Sequence, residues 1–182
     1  MKTMVGLILG VALLVGGGAA LAFDETDLKK LKALNACEGC DLSGADLYDA
    51  ALKGAKLKGA DLSKAEAVGA NLEGADLSKA NLTEAALPVA KLGNADLSGG
   101  DLSKAALQDA DLSGSNLTGA DLSGSYLNGA DLSEAILKNA KLTGADLSKA
   151  DLSEAELKGA KLDGAILCKT KMPWGEENSG CK

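Results

Sequence analysis

The sequence contains neither histidine nor arginine, and its only aromatic side chains are one Trp, two Tyr and one Phe. Without histidine the commonest general base is missing, and Ser-His or Cys-His nucleophile pairs cannot form. All 19 basic residues are lysines and they face 26 acidic residues, so the net charge is −7 and the basic footprint of a nucleic-acid-binding protein is absent. We therefore expect no catalytic residue, no cofactor and no nucleic-acid partner.

One residue type recurs with a strict spacing. Leucine occupies position 42 and every fifth position to Leu167 in 25 of 26 slots, and the exception is Ala67. A small residue, usually alanine, lies two positions before each slot. On an α-helix five residues advance a side chain by about 500°, which scatters the leucines around the helix. A straight strand would alternate them between its faces. A chain that bends once per repeat collects them in one core, where Ala67 should leave a small void unless Val68 turns inward.

The residues that follow each leucine suit a corner. Glycine stands two residues after the leucine in 13 of the 26 repeats, the position at which a type II turn needs a positive φ. Pro88 fills the preceding turn position in one repeat, as such a turn favours. At corners without glycine, such as Lys64, Glu84 and Lys104, we expect other turn types.

This pattern resembles the pentapeptide repeat family, A-(D/N)-L-x-x, as in Ala60-Asp61-Leu62-Ser63-Lys64. The resemblance covers Cys40 to about Lys169 and implies an all-β solenoid, a right-handed quadrilateral β-helix with four repeats per coil. At a strand spacing of about 4.8 Å the rod would be roughly 31 Å long. Hydroxyl residues 20 positions apart agree with four repeats per coil: Ser43, Ser63, Thr83, Ser103, Ser123 and Thr143. A solid leucine core leaves no pocket for a small-molecule substrate.

Four segments follow from this pattern: 1–22 a signal peptide, 23–39 an N-terminal helix and cap, 40–169 the repeats, and 170–182 a C-terminal cap tail. The cap helix is expected within 24–36, because Leu28, Leu31 and Leu34 have helical spacing and Asp24 or Thr26 can serve as N-cap. The tail is expected to fold back so that Met172 and Trp174 cover the last leucines. Since open edges invite stacking, caps at both ends favour a monomer.

The first 22 residues have the pattern of a secretory signal. Lys2 precedes the apolar run 4–15, and Ala20-Leu21-Ala22 offers an A-x-A cleavage site. The alternative is an uncleaved membrane anchor, since 4–22 is just long enough to span a bilayer. Both alternatives place the repeats outside the cytoplasm. The periplasm is favoured, with the thylakoid lumen or the extracellular space as alternatives.

The four cysteines lie near the two ends of the repeats. An even number in an exported chain indicates disulfides, and we assign Cys37–Cys40 and Cys168–Cys181. A zinc site shared by all four would require the ends of the rod to meet, which the implied length forbids. Asp41 rather than histidine follows Cys40, which excludes c-type haem attachment, and no βαβ pattern supports a redox CxxC motif. No metal site is expected.

What remains for function is the surface. On the least regular face of the predicted rod, aromatic and apolar residues stand among charged ones, as protein interfaces require. The candidate partner residues are Tyr48, Val68, Ala86, Pro88, Tyr126 and Ile166. A non-catalytic exported scaffold that binds an unknown protein is the first hypothesis. The alternative is a DNA-mimicking inhibitor of a topoisomerase such as gyrase, a role the resemblance makes available but export disfavours. A third, a Ser/Thr ladder that binds ice, is disfavoured by its charged neighbours.

Overall fold

The structure is a computed structural model that describes residues 24–181. The predicted signal peptide, 1–22, therefore lies outside the described residues. Within 24–181 no helix is both long enough and apolar enough to cross a bilayer. Most of this part of the chain is a regular coil, with one helix before it and one hairpin after it.

The coil is held by a ladder of isolated parallel bridges. Each bridge joins a residue to the one 20 positions later, from Ala36 with Lys56 to Asp151 with Lys171. Four such series run in parallel, so one coil takes 20 residues and has four sides. We number the sides by the outward-facing residue of the first coil: side 1 at Asp41, side 2 at Asp46, side 3 at Ala51 and, preceding them in the chain, side 4 at Ala36.

Two backbone hydrogen bonds flank each bridge, and the leucine that follows the bridging residue points into the interior. On side 1 the Leu42 N–H donates to the Asp61 carbonyl (2.7 Å), and the Asp61 N–H donates to the Cys40 carbonyl (2.8 Å). Leucine slots and the small residues two positions earlier form one continuous buried core. Each side contributes a single bridging residue per coil, which is too short to count as an extended strand. In the last coil Leu157, Leu162 and Leu167 are only partly buried, because no coil follows them.

Every corner of the coil contains a residue with a positive φ. The residue two positions after each leucine slot has positive φ from Gly39 to Lys169, whether it is glycine or not. The corners without glycine share the positive φ, which is 57° at Lys64, 59° at Glu84 and 57° at Lys104. The reason is the ladder, because a coil whose neighbours are all bonded in register leaves each corner only one conformation. At the corners without glycine, the left-handed conformation of the residue is unfavourable by about 1–2 kcal/mol.

The N-terminal helix, α1, spans Glu25–Leu34. Asp24 is its N-cap and accepts a hydrogen bond from the Thr26 N–H (2.7 Å). Leu31 is fully buried and Leu28 packs partly against the core, but Leu34 is 68% exposed. The expected stripe therefore ends at Leu31. Residues spaced by three drift about 60° per step around a helix, so the third leucine turns away from the coil.

The chain ends in a hairpin of β1, Thr170–Met172, and β2, Gly175–Glu177, which pair antiparallel. Lys171 bridges to Asp151, and Met172 is buried in the leucine slot of a further repeat. The ladder thus extends past Lys169, just as it begins at Ala36 rather than Cys40. Trp174 does not cover the last coil as expected. It is 64% exposed because it lies in the hairpin turn, where its indole N–H donates to Glu177.

Both cysteine pairs are joined as disulfides, Cys37 with Cys40 and Cys168 with Cys181. Cys37 occupies the first leucine slot and Cys40 the small-residue position that follows, so the first bond lies inside the first coil. The second bond ties the end of the hairpin segment back to the corner that follows Leu167. Within the described chain no cysteine is free.

Candidate interaction surface

Three of the six candidate partner residues form a stack along one corner of the rod. Tyr48, Val68 and Pro88 occupy equivalent positions in successive coils, between sides 2 and 3. The Asp49 N–H donates to the Val68 carbonyl (2.9 Å), and the Gly69 N–H donates to the Pro88 carbonyl (3.0 Å). Tyr48 is 65% exposed. Val68 stays partly exposed on the corner, so it does not turn inward to fill space beside Ala67.

The other three candidates belong to side 2, immediately beside this corner. Successive bridges connect Ala86, Ala106, Tyr126, Asp146 and Ile166 in one row. Tyr126 is 51% exposed, whereas Ala86 and Ile166 are partly exposed. The row and the corner stack meet where Ala86 and Pro88 share one coil. We call this combined area the side 2 surface.

The side 2 surface does not bring the two tyrosines together. Tyr48 lies in the first coil and Tyr126 in the fifth, which at about 4.8 Å per coil separates them by about 19 Å along the rod. Between them on side 2 lie Glu66, Ala86 and Ala106, and Val68 and Pro88 lie on the adjoining corner. The arrangement is therefore two separate aromatic positions with a mixed apolar and charged strip between them, which suits contact with an extended or flat partner better than insertion of one group.

Val89 is a further exposed apolar residue that is not among the six candidates predicted from the sequence. Its side chain is 53% exposed beside Pro88, and its φ is 52°. It is the only β-branched residue with positive φ in the described chain, where the other non-glycine corners are Asp, Asn, Lys or Glu. A β-branched residue in this conformation is a real outlier, and such strain is concentrated at functional sites. The signal was present in the sequence as a valine at a corner position preferred by glycine.

A shallow polar depression adjoins Tyr126. It has a volume of about 490 Å³ and is lined by Asp109, Asn128, Gly129, Asp146, Ser148 and Lys149. One oxygen of Asp146 already accepts the Ser148 N–H (3.0 Å). A carboxylate of Asp109 lies over Gly129, in the space where a side chain would begin. The depression can offer hydrogen bonds to a partner surface, but it holds no nucleophile beside a general base.

Most repeat carboxylates are engaged within the fold. Asp41 accepts both the N–H and the hydroxyl of Ser43 (3.0 and 2.7 Å), and these bonds hold its pKa below the ordinary value. The strongest case is Asp151, where Lys171 (2.8 Å) and then Ser153 lower the pKa to about 2. These aspartates remain ionised at neutral pH and solubilise the rod, but their oxygens serve the corners rather than a converging ligand site.

One cluster at the N-terminal end combines metal-ligating side chains: Asp27, Cys37 and Cys40. The two sulfur atoms are bonded to each other, and a carboxylate oxygen of Asp27 accepts the Asp41 N–H (3.0 Å). In this oxidised state neither cysteine offers a thiolate, which is the form that binds metals. The cluster therefore serves to fasten helix α1 to the first coil.

Comparison with known proteins agrees with this geometry. A family model described as pentapeptide repeats matches in eight copies, over residues 36–63, 55–88, 90–129, 115–153 and 130–168. These matches cover well over half of the chain. The chain belongs to the pentapeptide repeat family. Among curated proteins no relative matches it.

Several solved structures of pentapeptide repeat proteins are similar. HetL, involved in heterocyst differentiation regulation in Nostoc sp. strain PCC 7120, is 36% identical, with a TM-score of 0.36 over 78% of this chain and 73% of HetL. A protein of the Arabidopsis thaliana thylakoid lumen is 29% identical, with a TM-score of 0.30 over 55% of this chain and 63% of that one. QnrB1, a plasmid-mediated fluoroquinolone resistance protein, is 21% identical, with a TM-score of 0.41 over 66% and 75%.

Proposed function

We propose that this pentapeptide repeat protein is a non-catalytic, exported module that binds another protein through the side 2 surface. The observation that carries the proposal is the exposure of Tyr48, Val89 and Tyr126 along one edge of a rod whose other corners are dominated by small and charged residues. Tyrosine is enriched at protein interfaces and among the residues that contribute most to binding. We further infer that the coil is right-handed, as the family resemblance implies.

A binding role is consistent with the filled interior and with the hydrogen bonds that the polar groups already make. Leucine and alanine fill the interior of the coil, so within residues 24–181 the core offers no room in which a substrate could be desolvated. The repeat aspartates accept hydrogen bonds from their own corners, as Asp41 and Asp151 do. The sequence has no histidine to act as a general base. These features support a non-catalytic role, and they leave surface recognition as the available chemistry.

The partner experiment compares two variants in an affinity capture from the exported fraction. Tyr48→Ser, Val68→Ser and Tyr126→Ser are combined in one variant, which should lose the captured partner while its thermal unfolding changes little. The matched control combines Ser98→Ala and Thr118→Ala, which occupy equivalent corner positions on the opposite edge of the rod. Equal capture by the wild type and the first variant would contradict the proposal.

Export is supported by the signal-like segment at 1–22 and by the pairing of all four cysteines, since disulfides persist in oxidising compartments. Fractionation of a C-terminally tagged chain tests this point. We expect a processed species outside the cytoplasm, with the periplasm as the first location to assay. A full-length species retained in the cytoplasm would contradict export.

The alternative function is DNA mimicry against a topoisomerase. A row of carboxylates on side 3, Asp111, Asp131 and Asp151, gives this idea its structural basis. The row is short, and its last member is paired with Lys171. Purified protein added to a gyrase supercoiling assay tests it directly. Inhibition that disappears in a variant with Asp111→Asn and Asp131→Asn would support mimicry over the side 2 proposal.

A further inference from the structure

The N-terminal end of the rod is covered on only half of its sides. On side 4 the ladder begins one repeat earlier in the chain, at Ala36, and it covers the turn that starts at Asp41, because the Lys56 N–H donates to the Asn35 carbonyl (3.0 Å). Over side 1 the Asp41 N–H donates to the Asp27 carboxylate (3.0 Å), and its carbonyl accepts the Asp24 N–H (3.3 Å). Helix α1 and its flanking residues therefore complete the edge of these two sides.

Sides 2 and 3 of the first coil have no such cover. Within residues 24–181 no hydrogen bond reaches the N–H or C=O of Asp46, the C=O of Tyr48, or the N–H or C=O of Ala51. One coil further on, all the equivalent groups are bonded. For example, Glu66 donates its N–H to the Ala45 carbonyl (2.9 Å) and accepts the Leu47 N–H (2.8 Å). Sides 2 and 3 at this end thus present five backbone groups with the spacing of a missing half coil.

The uncovered edge borders an apolar groove. Helix α1 forms the opposite wall, and the groove has a volume of about 250 Å³, with the lining residues Leu31, Lys32, Asn35, Leu47, Ala50, Ala51 and Leu52. The Oδ1 atom of Asn35 is buried and has no hydrogen-bond partner in the described chain. Unpaired backbone groups beside an apolar floor are the features by which a sheet edge accepts another strand.

We propose that this edge binds an extended peptide segment of a partner protein as an added parallel strand. The proposal rests on the protein-binding function above and specifies how the partner is held near Tyr48. The internal coils show which residues the added strand needs. A small residue, as at Ala45, accepts the N–H of the bridging residue in the neighbouring coil, and an aliphatic residue two positions later, as at Leu47, donates its N–H to the carbonyl of that same bridging residue. Five residues further on, the same pair repeats on side 3. Lys32 is the one charged residue among those that line the groove, and Lys53 beside it is paired with Glu73 (2.8 Å), so a segment with no more than one negative charge is favoured.

The other end of the rod is a useful comparison. The N–H groups of Leu157 and Leu162 also lack a partner within the described chain. However, none of the described residues forms a helix against that edge, and its leucines are only partly buried. A strand added there would bury its aliphatic side chains against only one surface, so the groove end is the better binding site.

The test uses a peptide with the sequence of residues 125–132, acetylated and amidated at its ends. It carries a small residue and a leucine at the required positions, a glycine at the corner, and a tyrosine for concentration measurement. Amide hydrogen exchange of the full chain, followed by NMR, should slow at least fivefold at Asp46 and Ala51 when the peptide is saturating. N-methylation of the peptide nitrogen equivalent to Leu132, which removes the bond to the Ala51 carbonyl, should weaken binding at least tenfold.

Three outcomes would overturn the proposal. One is equal binding of the two peptides, and another is slowed exchange at Leu157 and Leu162 instead. The third is slow exchange at Asp46 and Ala51 before peptide is added, which would mean that residues 1–23 of the chain occupy the edge. If partner capture through the side 2 surface succeeds while the peptide fails, the edge is refuted and the proposed function stands.

A substitution gives independent evidence. Ala51→Pro removes an N–H that has no partner in the described chain, so the fold should hold while peptide affinity falls at least fivefold. Ala51→Ser keeps the N–H and should bind like the wild type. Binding unchanged in a folded Ala51→Pro variant would contradict the proposal, and if that variant does not fold, the N-methylated peptide on the wild-type protein decides.

Discussion

Two glycine corners with the same backbone conformation should respond very differently to alanine. Gly129 has φ of 75° and Gly119 has φ of 67°, so alanine is disfavoured at both by the left-handed conformation, about 1–2 kcal/mol. At Gly119 nothing lies within 4 Å of the position where a methyl group would be added. At Gly129 the same methyl group would overlap the Oδ1 atom of Asp109, which stands at the equivalent corner one coil earlier.

The extra destabilisation at Gly129 can be estimated from what Asp109 must do. Its side chain has to leave its position, an adjustment of about 0.5–1.5 kcal/mol if the χ angles are displaced from a rotamer minimum. It also gives up a contact with the glycine Cα–H, about 0.5–1 kcal/mol. Gly129→Ala should therefore be about 1–2.5 kcal/mol more destabilising than Gly119→Ala. For a chain of this size that corresponds to a Tm difference of about 2–10 °C.

The assay is thermal and urea unfolding followed by circular dichroism, with both single variants, Asp109→Gly, and the double variant Asp109→Gly with Gly129→Ala. Removing the aspartate should bring the loss at Gly129 down to that at Gly119, giving a coupling free energy of at least 1 kcal/mol. Equal losses at the two glycines, or a coupling near zero, would show that stacking between successive corners does not select the residue there.

Three further predictions follow from the same structure. Ala67→Leu should raise the free energy of unfolding by about 1–2 kcal/mol if space remains in that slot, whereas a loss in urea unfolding would show that the neighbours have already closed in. Because Lys171 lowers the folded-state pKa of Asp151 to about 2, their pairing contributes at neutral pH and is lost as pH falls from about 4 to 2. Since Lys171 is 66% exposed, Asp151→Asn should remove less than about 1 kcal/mol of pH-dependent stability, measured between pH 7 and 2. Replacing Cys168 and Cys181 by serine opens a loop of sequence separation 13 and should destabilise the hairpin by about 3 kcal/mol, seen as faster amide exchange in β1 while the central coils are unaffected.

The coil itself was predictable because its information is local and repeated. Each leucine slot and each small residue two positions earlier report the same geometry, so single departures such as Ala67 do not disturb the inference. The conformation of the non-glycine corners was not predictable by the same reasoning. Propensity alone argues against a left-handed Lys64 or Glu84, yet the hydrogen bonds to the coils above and below override it. Only the assembled ladder shows that the corner conformation is common to all repeats.

The ends were harder because they lie where the period stops. Met172 fills a leucine slot and Cys37 fills another, but neither is leucine, so counting leucines ended the coil too early at both ends. Trp174 was expected to cover the last coil because it is large and apolar. Its position in the hairpin turn is set by the pairing of β1 with β2, a contact that no periodicity describes. Val89 was overlooked for the opposite reason, since it lies inside a regular repeat at a position where the residue type alone was unusual.

These departures also indicate where function can reside in a repeat protein of this kind. At a typical repeat the leucine is buried, the backbone N–H and C=O groups bond to the neighbouring coils, and the aspartate bonds to its own corner. Such a repeat has little left with which to recognise a partner. Unused recognition chemistry is concentrated where the pattern breaks, at the exposed Tyr48 and Tyr126, at the strained Val89, and at the unpaired edge from Asp46 to Ala51. Tyr48 belongs to both the side 2 surface and that edge. A partner that binds at the N-terminal end can therefore combine an aromatic contact with backbone pairing, and Tyr48 is the residue whose loss should weaken both.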